Sequence, residues 1–269
     1  MTLRQLVDEF HIPESNIKSI EESAKKQIKE RETRKAAEAQ LNTAKSSQTD
    51  KYACLLAAVL HPNQTQFPIE VKSLAAVILR RNVSTSSLDT SDAADAANNE
   101  NLWKRLSDDA RRVVKQSVLE TLQGVTPNSK QFTHKVCNVA VEIQGAMQEE
   151  EDNSIWQDLL NLLFTFIQGE SEVQIDAALQ VFNGLFGYIM EHLVKFKNEL
   201  GAIFERCLQF QKLDIKLAAL QAISNYLSIA ERKDTKDFIK LLPMMTGVVA
   251  QAVQEDDETV LEDALVEFN

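Results

Sequence analysis

The segment Ile69–Asn82 reads IEVKSLAAVILRRN and has the apolar spacing of an amphipathic helix. The predicted apolar stripe, at i, i+3, i+4, i+7 and i+8, consists of Val71, Leu74, Ala75, Ile78 and Leu79. The opposite, polar face carries Glu70, Lys72, Ser73, Arg80 and Arg81. The paired Ala75 and Ala76 are small enough for a second helix to approach closely. The segment therefore predicts a helix that packs on one side only.

Related segments follow at intervals along the chain. They read VKSLAAVIL (71–79), VCNVAVEI (136–143), VQIDAALQVF (173–182) and DIKLAALQAI (214–223). Aligned on small residues, the series is Ala37, Ala76, Ala140, Ala178, Ala219 and Ala264, with spacings of 39, 64, 38, 41 and 45 residues. Removing the 18-residue stretch Ser84–Asn101 reduces 64 to 46. A period of roughly 40–47 residues with two helices per unit is typical of HEAT repeats.

The pattern predicts an all-α chain, folded as a HEAT-repeat α-solenoid, a right-handed superhelix of antiparallel helix pairs. One pair cannot bury its apolar stripe alone, so neighbouring pairs stack. We expect a single solenoid of about six repeats, at 1–46, 50–83, 106–147, 154–192, 195–231 and 235–269. Within the first repeat the pattern places helices at 3–10, from Ser15 and at 31–45, the last two separate or joined as one bent helix. The final helix still runs at Asn269, which suggests a fragment of a longer protein.

Residues 84–101, STSSLDTSDAADAANNEN, contain almost no large apolar side chain and are expected to form a mobile loop. Long loops often carry function, so a loop that contacts a partner is the alternative interpretation.

Composition and charge narrow the function classes. The chain has 269 residues, 44% of them hydrophobic, but only 7 Gly and 5 Pro, too few for the many turns of an all-β protein. Residues 1–147 carry 20 basic and 18 acidic side chains, whereas residues 148–269 carry 9 and 22. The acidic second half argues against direct nucleic-acid binding and permits a basic protein partner, although an acidic surface that only maintains solubility is an equal alternative.

Motifs for catalysis or metal binding are missing from the sequence. There is no Gly-rich phosphate loop, HExxH or GxSxG motif, and the four histidines fall in different predicted repeats. Three separated cysteines, Cys54, Cys137 and Cys207, favour buried reduced thiols over disulfides or zinc. No apolar run is long enough to span a membrane, and the amino terminus has no signal-peptide pattern. We expect no enzyme, no cofactor and no metal site, with Trp103 and Trp156 as core anchors.

Four segments, in order, resemble the karyopherin-β family of nuclear transport receptors, most closely its importin-five branch. They are TRKAAEAQL (33–41), LAAVILRRN (74–82), KVCNVAVEIQGAMQEEEDNSIWQDLLNLLF (135–164) and LLPMMTGVVAQAVQEDDETVLEDALVEF (241–268). The third segment is similar to a repeat junction of that family, where an acidic turn is followed by a Trp-led helix. The long polar loop at 84–101 departs from the family pattern.

The resemblance implies a nuclear import receptor that shuttles between cytoplasm and nucleus through the pore as a monomer. In that family the second helices line a concave face that binds Ran in its GTP form, and Phe-Gly nucleoporins dock between first helices on the convex face. Cargo, here basic proteins such as ribosomal proteins or histones, is bound mostly by later repeats. The implied Ran-facing residues are Lys35, Glu38, Lys72, Arg80, Asn82, Asn138 and Glu142. The implied nucleoporin-binding residues are Phe196, Ile203, Phe204, Phe238 and Leu242.

Other interpretations of the same residues stay open at this stage. The polar candidates can be an ordinary solvated helix face, and the apolar candidates can pack in the core. A generic HEAT scaffold, such as a phosphatase regulatory or adaptor subunit, would bind partners without nucleotide dependence. An export receptor of the same superfamily would bind cargo more tightly with Ran instead of releasing it.

Overall fold

The structure is a computed structural model that describes residues 14–84, 101–150 and 154–254, with side chains from residue 31 onward. These residues form α-helices and short 3-10 helices, and no β-strand occurs among them. The chain divides into two compact units, Met1–Tyr52 and Ala53–Asn269, which are treated separately below. The predicted helices at 3–10 and 258–269 and residues 85–100 of the predicted loop lie outside the described residues.

The α-helices are numbered here in chain order. They are α1 (Glu14–Ser47), α2 (Thr49–Leu60), α3 (Ile69–Val83), α4 (Asp108–Gln123), α5 (Lys130–Glu150), α6 (Gln157–Gln168), α7 (Glu172–Leu193), α8 (Lys197–Leu208), α9 (Leu213–Ile229), α10 (Arg232–Thr235) and α11 (Leu242–Gln254). Short 3-10 helices precede several of them, at Leu102–Arg105, Pro127–Ser129, Val194–Phe196 and Lys236–Leu241.

Helix α1 is a single continuous helix, which joins the two segments that the sequence placed from Ser15 and at 31–45. The physical reason is that Glu, Lys, Arg, Gln and Ala dominate this stretch and no Gly or Pro interrupts it. Residues 31–43 are all exposed. Ala37, which was aligned with the close-packing alanines of the later helices, is therefore not a buried packing position.

The second unit contains a layer of second helices, in which α3, α5, α7 and α9 pack in succession. First helices cover it from one side, with α4 packed on α5, α6 on α7 and α8 on α9. The aligned alanines Ala76, Ala140, Ala178 and Ala219 are all 0% exposed, which confirms that these four equivalent positions lie in helix–helix contacts. We call the stack of α3, α5, α7 and α9 the second-helix layer.

Two glycines allow α5 and α7 to approach closely. A Cβ atom on Gly184 would lie 2.7 Å from Cγ2 of Val141, and one on Gly145 would lie 2.6 Å from the Tyr188 ring. Real Cβ atoms essentially never approach another heavy atom this closely, so a side chain at Gly184 or Gly145 would have to displace Val141 or the Tyr188 ring.

The buried stripe of α3 differs from the predicted one. It consists of Lys72, Ala75, Ala76, Leu79 and Val83. Val71 and Leu74, predicted to be buried, are 42% and 59% exposed. Apolar residues surround most of α3, so their spacing alone allowed two neighbouring choices of buried face. The packing against α5 selects the face with the small alanines.

Several predicted helix limits move by a few residues because local capping ends or starts the helix. The Ser107 hydroxyl accepts from the Ala110 N–H, so α4 begins at Asp108 rather than Leu106. Residue 235, where the sixth repeat was predicted to begin, is the last residue of α10, and the 3-10 helix Lys236–Leu241 separates it from α11. Helix α7 contains a kink at Ile189, which has non-helical φ and ψ of −124° and 29°.

An aromatic cluster fills the core between α7, α8, α9 and the 3-10 helix at 236–241. The ring centroids of Phe186 and Tyr226 are 5.5 Å apart, those of Phe204 and Phe238 are 6.0 Å apart, and those of Tyr226 and Phe238 are 4.6 Å apart. Each of these side chains is at most 1% exposed. Burial, with the charges of Asp234 and Asp237, raises the pKa of Tyr226.

Core positions predicted from the sequence are confirmed for the tryptophans and for two of the cysteines. Trp103 and Trp156 are 1% and 2% exposed. Cys137 and Cys207 are buried, and burial raises the pKa of both thiols, that of Cys207 to about 11. Cys54 is only half-buried. All three cysteines are free thiols, as expected.

Candidate protein-binding surface

One side of the second-helix layer forms a surface that includes three of the seven Ran-facing candidates, Arg80, Asn138 and Glu142. On α3, the residues that point away from the core follow one line: Glu70, Leu74, Val77 and Arg81. On α5 the corresponding line is Gln131, Lys135, Asn138 and Glu142, of which Gln131 is exposed, Lys135 and Asn138 are half-buried and Glu142 is buried. Each line follows the i, i+4, i+7, i+11 spacing of one helix face. We call this surface the second-helix face.

Arg80 and Glu142, both predicted from the resemblance, meet across α3 and α5. The Arg80 Nε atom lies 3.6 Å from Oε1 of Glu142. Glu142 is only 8% exposed, which corrects its expected position on a freely solvated helix face, and its Oε2 atom has no hydrogen-bond partner among the described residues. Tyr188 of α7 faces the same carboxylate. Partial burial is the largest cause that raises the pKa of Tyr188, and the negative charges of Glu142 and Glu149 raise this pKa further. Side chains of three successive second helices thus converge at Glu142.

Lys72 does not belong to this surface. It is 7% exposed, and its Nζ donates to the backbone carbonyl of His61 at 2.9 Å. The His61 side chain makes two further hydrogen bonds. Its Nδ1 accepts from the backbone N–H of Asn63, so its Nε2 carries the proton and donates to Oε2 of Glu120, 2.9 Å away. A hydrogen bond from Gln116, with a further contribution from His61, lowers the pKa of Glu120. The long Lys72 stem lies along the core, which the polar character of lysine did not predict.

Replacing Lys72 by methionine is expected to lower the free energy of unfolding by about 1–2 kcal/mol, because the stem is retained while the hydrogen bond to the carbonyl is lost. Urea-induced unfolding followed by circular dichroism measures the change. Arg81→Met, on an exposed position of the same helix, is the control and should change stability by less than about 0.5 kcal/mol. Equal stability of the two variants would contradict a structural role for Lys72.

The remaining Ran-facing candidates are distributed over both units. Lys35 and Glu38 are exposed on α1, where Glu38 pairs with Arg34 at 3.3 Å. Asn82 uses its Nδ2 to donate to the Ile78 carbonyl at 2.8 Å, within α3. Asn138 is half-buried, one turn before Glu142 on α5. The structure therefore brings Arg80, Asn138 and Glu142 together, and their role in binding stays a prediction.

The five nucleoporin candidates separate into core and surface residues. Phe204 and Phe238 are 0% and 1% exposed within the aromatic cluster, and Ile203 is also buried. These three side chains pack in the core, because their helical spacing places them toward α9 and α7 rather than toward solvent. Phe196 and Leu242 are 39% and 43% exposed. Only these two remain accessible as predicted contact residues.

A cluster of charged side chains that the sequence reasoning missed links the amino-terminal ends of α5, α7 and α9. Lys130 Nζ lies 3.0 Å from Asp214 Oδ2 and 3.9 Å from Asp176 Oδ1, and His134 Nε2 lies 2.5 Å from Asp176 Oδ2. Partial burial lowers the pKa of Lys130, but the hydrogen bond to Asp214 and the two carboxylate charges outweigh it, so the pKa is raised. The sequence signal for this cluster was that charged residues recur near the starts of successive second helices, about 40 residues apart.

Gln144 is another residue for which the sequence predicted no structural role. It is 1% exposed, its Nε2 donates to the Ser154 carbonyl at 2.7 Å, and its Oε1 accepts from the Trp156 N–H at 2.8 Å. The available signal was a glutamine within the mainly apolar stretch Val139–Met147. Its two hydrogen bonds tie the start of α6 to α5.

Among the residues that the structure describes, no three His, Cys, Asp or Glu side chains are grouped as metal ligands would be. Within the same described ranges, every helix is too short or too polar to cross a membrane.

The class of protein follows from this architecture: a HEAT-repeat α-solenoid, in which stacked helix pairs present one extended layer. Residues 128–269 match the family described as "IPO5-like, TPR repeats". Because the match covers more than half of the chain, the chain belongs to this family, a branch of the karyopherin-β proteins. The family name refers to TPR repeats, whereas the alanine spacings of 38 and 41 residues in this chain are typical of HEAT repeats.

Solved structures of karyopherins share the fold. Kap121p bound to RanGTP is 15% identical with a TM-score of 0.63, over 87% of this chain and 19% of that chain. Importin beta is 19% identical with a TM-score of 0.66, over 87% and 26%. Yeast importin-beta (Kap95p) is 19% identical with a TM-score of 0.63, over 86% and 26%. The chain therefore spans about one fifth of the length of Kap121p and one quarter of that of the importin-beta chains.

Proposed function

We propose that this chain is part of a nuclear import receptor and binds Ran in its GTP form through the second-helix face. The observation that carries the proposal is the continuous layer α3, α5, α7 and α9, whose fold matches the RanGTP-bound Kap121p over 87% of this chain. In its amino-terminal half, where α3 packs on α5, Arg80 contacts Glu142, and Asn138 lies one turn before Glu142 on the same face of α5. Protein interfaces carry a rim of hydrogen-bonding polar side chains, and this is the role that we propose for these three residues.

A pull-down with purified Ran, loaded with a non-hydrolysable GTP analogue or with GDP, tests this proposal. We expect the chain to retain the GTP form and not the GDP form. Arg80→Gln and Asn138→Ala should each weaken binding about 5- to 50-fold, because each removes polar groups that we propose contact Ran.

The control is Arg112→Gln, an exposed arginine on α4 that lies on a first helix and pairs with Asp109. It should leave Ran binding unchanged, and thermal melting should show that all three variants fold. Equal retention of both nucleotide forms, or none, would overturn the Ran part and favour a scaffold without nucleotide dependence.

The same proposal extends to nucleoporins and cargo. A structure of Kap121p bound to Nup53p matches this chain over 84% of its length at a TM-score of 0.60. The exposed Phe196 and Leu242 are the predicted contacts for Phe-Gly repeats. The acidic excess of residues 148–269 suits basic cargo, such as ribosomal proteins or histones. The receptor would carry this cargo through the pore between cytoplasm and nucleus and release it when Ran binds.

A further inference from the structure

A groove runs between α3 and α5 on the second-helix face, and nothing in the Ran proposal uses its apolar wall. Its volume is 570 Å³, within the range of specific ligand clefts. Ile69, Leu74 and Val77 of α3 form one wall, and Gln131 and Lys135 of α5 form the other. The 3-10 helix Pro127–Ser129 borders it.

The apolar wall is largely exposed to solvent. Leu74 is 59% exposed and Ile69 is 43% exposed, and Val77 continues the line one turn further along α3. Contiguous exposed apolar side chains beside a polar rim are typical of protein interaction sites.

The basic side chains around the groove differ in whether a carboxylate of the chain is paired with them. Lys130 is already neutralised by Asp176 and Asp214, and Arg80 by Glu142. By contrast, within the described parts of the chain, Lys135 and Arg81 have no carboxylate partner. Glu70 is the acidic group on the groove wall. Away from Glu70, the charged groups without a partner along the groove are therefore positive, although the net charge of the whole chain is −11.

We infer that this groove binds an acidic amphipathic helix of a partner protein. Apolar side chains one helical turn apart on the partner would lie against Leu74 and Val77, and carboxylates beside them would pair with Lys135 and Arg81. This is the helix-in-groove mode of recognition, in which apolar spacing provides affinity and flanking charges set the orientation. The partner's carboxylates lie away from Glu70, so only one direction of the bound helix avoids repulsion.

Fluorescence anisotropy with labelled synthetic helices tests the inference without Ran. The first probe carries leucines one turn apart with glutamates beside them, and the second has lysine in place of each glutamate. We expect the acidic probe to bind at least about tenfold more tightly, and the difference to shrink as salt is raised. Leu74→Ser should weaken the acidic probe about tenfold, and Lys135→Glu should reverse the preference between the probes.

Leu55→Ser is the matched control, since Leu55 is 64% exposed and lies outside the groove. It should leave both affinities unchanged. Equal affinity for the two probes, no binding at about millimolar probe, or an unaffected Leu74→Ser variant would each overturn the inference. Concentration-dependent self-association in analytical ultracentrifugation that Leu74→Ser abolishes would also overturn it, by assigning the groove to a second copy of the chain.

Discussion

Phe204→Ala is expected to lower the free energy of unfolding by about 3–5 kcal/mol, the cost of removing a fully buried aromatic side chain. Phe204 is 0% exposed, and its ring lies 6.0 Å from that of Phe238 and 6.4 Å from that of Tyr226. The deletion leaves a cavity between α8 and α9 that the stiff rings around it fill only in part. Urea denaturation followed by circular dichroism measures the change.

Phe196→Ala is the control, because Phe196 is 39% exposed and its only aromatic contact among the described residues is Phe164, at 6.0 Å. It should lower stability by less than about 1 kcal/mol. The pair also separates core packing from nucleoporin binding. Phe196→Ala should weaken binding of a Phe-Gly peptide at nearly unchanged stability. A Phe204→Ala variant as stable as the wild type would contradict the position of Phe204 in the core.

Gly184→Ala is the second substitution with a large expected effect, a loss of about 1–3 kcal/mol of stability. The added Cβ would lie 2.7 Å and 2.8 Å from the two γ-carbons of Val141, whose branched side chain has little freedom to move. The helices α5 and α7 would have to separate. Thermal unfolding followed by circular dichroism detects the loss as a lower Tm.

The same helix provides the control. Gly187 is exposed, and a Cβ there would meet nothing within 4 Å. Gly187→Ala should therefore stabilise the protein by about 0.5–1 kcal/mol, since alanine loses less backbone entropy than glycine in a helix. Val141→Ala should partly rescue Gly184→Ala by removing the clash. If both glycine variants are stabilised alike, the close approach of α5 and α7 is wrong.

The repeat architecture was predictable because it depends on spacing along the chain. The alanines at 76, 140, 178 and 219 recur at HEAT-like intervals, and all four are fully buried. The regular appearance of one small residue on each second helix reflects a single physical requirement, the close packing of neighbouring repeats. Ala37 carries the same spacing but is exposed, because spacing alone does not show whether a helix has a packing neighbour.

The site was less predictable, since its residues were chosen by chemical type and helix position. Lys72 was assigned to a polar face, but its four-carbon stem lets it cross the core and reach the His61 carbonyl. Leu74 was assigned to the core, but the face of α3 that packs on α5 contains Ala75, Ala76 and Leu79 instead. For Phe204 and Phe238 the resemblance implied a docking surface and the helical apolar stripe implied core packing, and the structure places both in the core.

Spacing and motif order along the chain were enough to predict the helical class, the repeat period and the buried tryptophans, and to reveal the resemblance to karyopherin-β receptors. Tertiary structure alone decided which side of α3 is buried, how Arg80 meets Glu142, and where the apolar groove beside Lys135 opens. These depend on contacts between residues about 60 positions apart in the chain. A periodicity describes a helix face, but only the neighbouring helix determines whether that face meets protein or solvent.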